Sequence, residues 1–409
     1  MVTDQEAGSA PLAGIRVLEL GNFIAAPFAG MVFADFGADV IKIERPGSGD
    51  ELRGWRALRG STSMLFRTVA RNKRSLTLNL STEQGRAVVL ELVARCDVVV
   101  ENFRPGTLER WDLSPDQLTA VNPDLVVVRI SGYGQTGPYR DRPGFGGVAE
   151  AFGGLRSITG VPHLPPARSA ASIGDTVAGL YGVIGALMLL LRRARGVTVE
   201  GPQVVDVALY EAVFSLLESL VPDYDAYGVV RERTGGSLPG VAPSGVYPCR
   251  GEEFVVIGGN ANAVFARLMA AIGRDDLATD PALADGPGRA ARAEELDAAI
   301  TTWTCEHTLE EVLRILDTAG VPVGPVYDAA TIVKDPHYQA RGMLQAHQVA
   351  VDGAPETVRF PGVVPKLPGT AGTVQGVGPE LGAHTEEVLG GLLGFSATRI
   401  DQLRAQGVV

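Results

Sequence analysis

Two short runs, 97–103 (DVVVENF) and 125–130 (LVVVRI), constrain this chain more than any other feature. Each carries an unbroken series of apolar, mostly β-branched residues without polar alternation. A strand with one face in water alternates, whereas a strand buried on both faces does not. The runs therefore predict a parallel sheet with helices packed on both sides. Neighbouring segments agree. Residues 15–20 read as a short apolar strand, 25–36 as a helix with Gly37 as C-cap, and 38–44 (ADVIKIE) as a second strand. A third strand is expected over 75–80, followed by a helix capped by Ser81 or Thr82 that runs to about Arg95. Residues 203–209 (QVVDVAL) read as another strand. With 409 residues, 45% of them hydrophobic, and a mean hydropathy of +0.13, the chain can fill two domains.

Charge and cysteine usage narrow the function classes. A net charge of -11 without a basic cluster disfavours nucleic acid as a partner, although a few arginines suffice for a small anion. Cys96, Cys249 and Cys305 form no CxxC pair, which fits a reducing cytoplasm better than a disulfide framework. The five histidines show no metal-ligand spacing, so no metal site is expected. No signal peptide is apparent. The apolar run over 177–191 falls short of the roughly 20 residues of a membrane span and reads as a buried helix.

The turn after the first strand reads GNFIAAP rather than GxGxxG, so a standard dinucleotide site is not expected. Residues 132–160 form a long loop rich in Gly, Pro and Arg, a length at which loops are usually functional. Asp175 follows it in Ser172-Ile173-Gly174-Asp175-Thr176, directly before the apolar helix. One carboxylate at the mouth of such a helix is either its cap or a reactive group.

Several stretches in order resemble class III CoA-transferases of the CaiB/BaiF type. They are LAGIRVLE (12–19), GADVIKIERP (37–46), RNKRS (71–75), ENFRPG (101–106), SGYGQTGP (131–138), Gly174-Asp175, GVPVGP (320–325) and LGAHT (381–385). The resemblance implies an α/β fold: a Rossmann-like large domain made by both chain ends, with a smaller α/β domain inserted, and two chains interlocked as a homodimer. Implied boundaries are 10–222 and 369–409 for the large domain, 244–331 for the small one, and linkers at 223–243 and 332–368. It also implies that Asp175 is the catalytic nucleophile and that an acyl-CoA thioester is a substrate, with no permanently bound cofactor. The implied CoA contacts are Ala25, Arg45, Leu78, Asn79, Leu80, Asn102, Phe103 and Arg110, with Lys73 and Arg74 as weaker candidates. Neither a nucleic acid nor a membrane partner is implied.

Departures from the formyl-CoA members shape the substrate expectation. Ile24 stands where they carry glutamine, and Phe145-Gly146 replaces a Tyr-Glu pair. Their glycine-rich loop is represented by Gly258, Gly259 and Asn260. With a roomier site and Arg142 on the loop to face a second carboxylate, a C4–C6 dicarboxylate acceptor with succinyl-CoA as donor is expected. Two other readings stay open: a 2-methylacyl-CoA racemase, which needs two acid–base groups and carries a histidine where Phe145 stands, and a non-catalytic CoA-binding protein.

Overall fold

The computed structural model describes residues 10–60, 62–197, 199–370 and 372–409. The chain divides into two compact units. One takes the residues up to Leu155 together with Ser169–Ser219 and His337–Val409; the other takes Arg156–Arg168 and Leu220–Pro336.

The first unit is built on six strands: β1 (Arg16–Glu19), β2 (Asp39–Glu44), β3 (Lys73–Thr77), β4 (Val98–Glu101), β5 (Val126–Ser131) and β6 (Gln203–Ala208). All neighbours are parallel, in the order β3-β2-β1-β4-β5-β6. This is the strand order of the doubly wound dinucleotide-binding fold. The β-branched runs lie where their patterning requires. Val99 and Val127 enter one core with Leu18, Ile41 and Leu76, while Val98, Val100, Val126 and Val128 enter the opposite core with Val17 and Val40. Each such fully buried side chain contributes roughly 1.5–3 kcal/mol. The first core is covered by α2 (Glu83–Val93) and by the chain's end, through Val388, Leu389, Ile400 and Leu403.

The second core is covered by α1 (Ala25–Asp35) and α4 (Ile173–Ala194), with α3 (Gly146–Phe152) between them in sequence. Along α4 the small residues face inward: Gly179 packs on the Ala25 carbonyl, Gly182 on Val128 and Gly185 on Val205. At 22 residues α4 is longer than the apolar run suggested, and it is not buried all round. Leu180, Ile184, Met188 and Leu191 are exposed on its outer face. By length and composition it is apolar enough to cross a membrane. Its inner face, however, is committed to the sheet.

Local signals account for most boundaries. Thr82 caps α2 by accepting from the Gly85 N–H, and Gly37, at φ +95°, ends α1. The stretch 332–368, expected as a connecting arm, instead contains an antiparallel hairpin, Leu344–Val351 with Ala354–Pro361. Its turn is Asp352-Gly353, both at positive φ, the type I′ geometry that Asp-Gly favours. Likewise 223–243 begins inside a helix, Leu220–Tyr227. The helical tail expected over 386–406 is split into a π-helical turn, Glu387–Leu392, and an α-helix, Ala397–Ala405.

The second unit is an antiparallel three-stranded sheet, Val323–Pro325, Phe254–Gly258 and Ser244–Pro248, with helices over its inner face. Gly258, Gly259 and Asn260 leave the middle strand. Gly259 N donates to Pro243 O at 2.9 Å, and Arg289 Nη2 donates to Asn260 O at 2.7 Å.

Candidate active site

The sheet order reverses between β1 and β4, and ligands of open α/β sheets sit in the crevice beyond the strand ends at such a point. Here the two emerging turns are tied together. Asn102 accepts from Asn22 N (2.9 Å) and donates to Asn22 O (2.7 Å). The side chain of Asn102 is thus spent on the neighbouring backbone, and its place in the site is as a brace.

Asp175 lines a cavity of about 190 Å³ over this crevice. The helix α4 starts two residues earlier, with Ser172 in the N-cap position, so Asp175 is not the cap. It lies in the first turn, where the helix dipole favours a carboxylate. Its Oδ2 rests against Gly146: a Cβ built there would lie 2.0 Å from that oxygen. A side chain at 146 would push the Asp175 carboxylate out of this position. The loop that carries Gly146 is folded back by a second close approach, Gly132 against Gly144, which also excludes side chains at both positions.

The rest of the cavity is largely apolar. Phe23, Trp55 and Phe145 form a continuous aromatic wall, with centroid spacings of 5.1 Å and 6.2 Å. Ile24, Ala25, Ile130 and Leu209 complete it. Such a lining disfavours water near a reactive acyl group. Two cations line it, Arg104 and Arg142. Arg142 stacks on the Tyr139 ring at 3.7 Å, which limits the orientations open to its guanidinium. No histidine lines this cavity.

A second cavity of about 400 Å³ adjoins the first through Phe103, which lines both. It gathers Arg45, Leu78, Asn79 and Leu80 from the ends of β2 and β3, with Trp111 opposite. Phe103 and Trp111 pack edge to face at 5.2 Å. Arg45 is exposed and has no ion pair among the described residues. An aromatic pair, an apolar floor and an unpaired cation suit a nucleotide carrying phosphates.

Buried charge lies directly beneath. Lys42 pairs with Glu19 (2.9 Å) and Asp50 (2.7 Å), and Lys73 pairs with Glu19 (2.6 Å). Burial works against the Lys42 charge, yet the three carboxylates Glu19, Asp50 and Glu44 outweigh it and raise its pKa. For Lys73 burial wins, with Lys42 adding to it, and the pKa falls to about 8. Burial also opposes the charge of Glu44, but Arg53, Lys42 and Ser75 hold its carboxyl below the usual range. Glu101 is pushed by burial up to about 7, against the pull of Arg129.

The residues expected from the sequence therefore separate. Asp175, Ala25, Asn102, Phe103, Arg142, Phe145 and Gly146 converge on the small cavity; Arg45, Leu78, Asn79, Leu80 and Phe103 converge on the larger one. Arg110 lines neither: it is exposed and donates to Thr107 Oγ1 at 2.9 Å. Lys73 is enclosed, and Arg74 is engaged by Asp39 and Glu387, so neither is open to a phosphate. Gly258, Gly259 and Asn260 belong to the second unit. Sequence reasoning missed Trp55, Arg104 and Trp111. Arg104 and Trp111 stand within or just after the ENFRPG stretch, a signal that pointed to them.

Comparison with known proteins identifies the family. The model of CoA-transferase family III matches residues 12–385. The succinyl-CoA–D-citramalate CoA-transferase of Chloroflexus aurantiacus is 46% identical over 401 residues, 98% of each chain. The succinyl-CoA–L-malate CoA-transferase beta subunit of the same organism is 42% identical over 403 residues, again 98% of each. Among solved structures, a CAIB/BAIF family protein from Brucella suis aligns with a TM-score of 0.80 at 31% identity, covering 94% of this chain and 99% of its own. The chain belongs to CoA-transferase family III and is a CoA-transferase.

Proposed function

We propose that this enzyme moves CoA from succinyl-CoA to a C4–C6 dicarboxylate, with Asp175 as the covalent carrier. The observation that carries the reading is the pair of cavities that share Phe103 as a lining residue, one of nucleotide size and one small, apolar and built around Asp175. The relatives named for succinyl-CoA with citramalate and with malate support the choice of acids.

The reaction needs no net proton transfer. An Asp175 oxygen attacks the thioester carbon, the C–S bond breaks, and CoA leaves as thiolate, giving an aspartyl–succinyl anhydride. The thiolate then attacks the Asp175 carbonyl; the C–O bond breaks, succinate departs, and Asp175 becomes a CoA thioester. The acceptor carboxylate attacks that thioester and releases thiolate, which takes the acceptor's acyl group from the second anhydride. Asp175 returns as carboxylate. A carboxylate suits both halves because it is nucleophile and leaving group of matched energy. The aromatic wall keeps water from the anhydrides, and Arg142 receives the acid's second carboxylate. The test is succinyl-CoA with malate, citramalate, glutarate and butyrate, read by mass spectrometry of the CoA esters. New dicarboxylyl-CoA is expected; transfer to butyrate alone would sink the substrate assignment.

The racemase reading needs a second acid–base group opposite Asp175. With phenylalanine at 145 and no histidine lining the cavity, the site supports transfer instead. The active form is an interlocked homodimer in the cytoplasm. Support comes from the exposed apolar side of α4, a surface of the kind that marks partner contact. Light scattering across a dilution series tests it, and a stable, active monomer would contradict it.

A further inference from the structure

We propose that Asp50, with Glu19, Lys42 and Lys73, is a positioning residue for the transfer reaction: these buried charges fix the backbone of the 21–27 turn as a rigid wall of the Asp175 cavity. The inference rests on Asp175 being the carrier. None of the four lines that cavity, and together they grip the turn from below.

The grip is specific. Lys42 Nζ donates to Gly21 O at 3.0 Å, and Lys73 Nζ donates to Pro27 O at 2.6 Å. Asp50 Oδ1 accepts from Phe23 N at 3.1 Å and from Leu52 N at 2.8 Å. Glu19 bridges the two lysines. The four side chains are at most 4% exposed, so these bonds do not compete with water.

The turn needs such holding. Phe23 sits at φ +62°, the left-handed region that a bulky residue disfavours, so the surroundings must impose it. That conformation puts the Phe23 ring against Trp55 and brings Ile24 and Ala25 to the cavity. Asp50 governs both sides of the contact. It holds Phe23 through one hydrogen bond, and it caps the short helical turn Glu51–Gly54 that leads into Trp55.

Full-length Asp50→Asn and Asp50→Leu separate this from a plain folding role. Asparagine keeps an acceptor for the Phe23 N–H; leucine removes it. For Asp50→Leu, kcat with succinyl-CoA and the best dicarboxylate falls about 100-fold, while KM for succinyl-CoA changes less than threefold, because misplacement acts on geometry rather than on nucleotide binding. Asp50→Asn stays within about tenfold of the parent, as an acceptor at the same place remains. Hydrogen exchange read by mass spectrometry accelerates over 21–28 in Asp50→Leu and not in β4 or β5. Unchanged kcat in folded Asp50→Leu, or KM rising in step with the loss of kcat, overturns the proposal. Faster exchange over 21–28 in an enzyme whose parent transfers CoA to no carboxylic acid leaves the clamp standing and removes the transfer reading.

Discussion

The Asp175 cavity has two walls made in opposite ways. The turn after β1 is held from beneath by charged side chains that water does not reach. The loop after β5 is held from outside. Tyr133, Tyr139, Phe152 and Tyr210 pack mostly edge to face at 5.1–6.2 Å, and Arg142 lies over Tyr139. Phe145 and Phe152 are about half exposed, at 46% and 50%. Buried hydrogen bonds to charge fix backbone position tightly, because leaving one partner bare costs several kcal/mol. Aromatic packing at a surface costs less to rearrange. The first wall is therefore suited to fixing reacting atoms, and the second to accommodating different acids.

The comparison breaks most easily where the walls meet at Asp175. Gly146→Ala puts a methyl against Oδ2, and turnover should fall by about 100-fold, with the melting temperature changing far less than in a core truncation such as Leu18→Ala. Arg142→Ala, on the adaptable wall, should lower kcat/KM for a dicarboxylate by about 10–100-fold and leave a monocarboxylate unaffected. Equal loss for both acids would place Arg142 in catalysis or folding instead. Trp111→Leu lies on neither wall; it should raise KM for the acyl-CoA roughly tenfold at unchanged kcat, as measured with varied succinyl-CoA.

The smallest effect concerns pH. Burial raises Glu101 to about 7, above its unfolded value of 4.5, so the folded form holds its proton more tightly. The stability this contributes is full below the unfolded pKa and is lost as pH rises through about 7. The melting temperature should drop by about 4 °C across that window. In Glu101→Gln the dependence should flatten.

How much of this was legible in the sequence varied with how far apart the partners lie. Strands β4 and β5 were readable because their burial is written into consecutive residues. The resemblance of ordered motifs singled out Asp175, and a departure from that resemblance singled out Gly146; the cavity brings the two together. The fate of Lys73 was not. Its partner Glu19 lies 54 residues away, so a buried ion pair and a phosphate ligand look alike in one dimension. Arg110 lies outside both cavities, and one of its donors goes to Thr107, only three residues away. The hairpin over 344–361 was legible in principle, since Asp352-Gly353 lies between alternating strands, yet the resemblance implies a linker over 332–368.

The most direct test of the central claim is to mix the enzyme with succinyl-CoA alone, quench with hydroxylamine, digest, and measure the peptide containing Asp175 by mass spectrometry. The aspartyl-CoA thioester, or the anhydride, reacts with hydroxylamine at the Asp175 carbonyl to form a hydroxamate. The account predicts that mass change at Asp175 and its absence in Asp175→Asn. An unmodified Asp175 peptide under conditions where the enzyme turns over would contradict it.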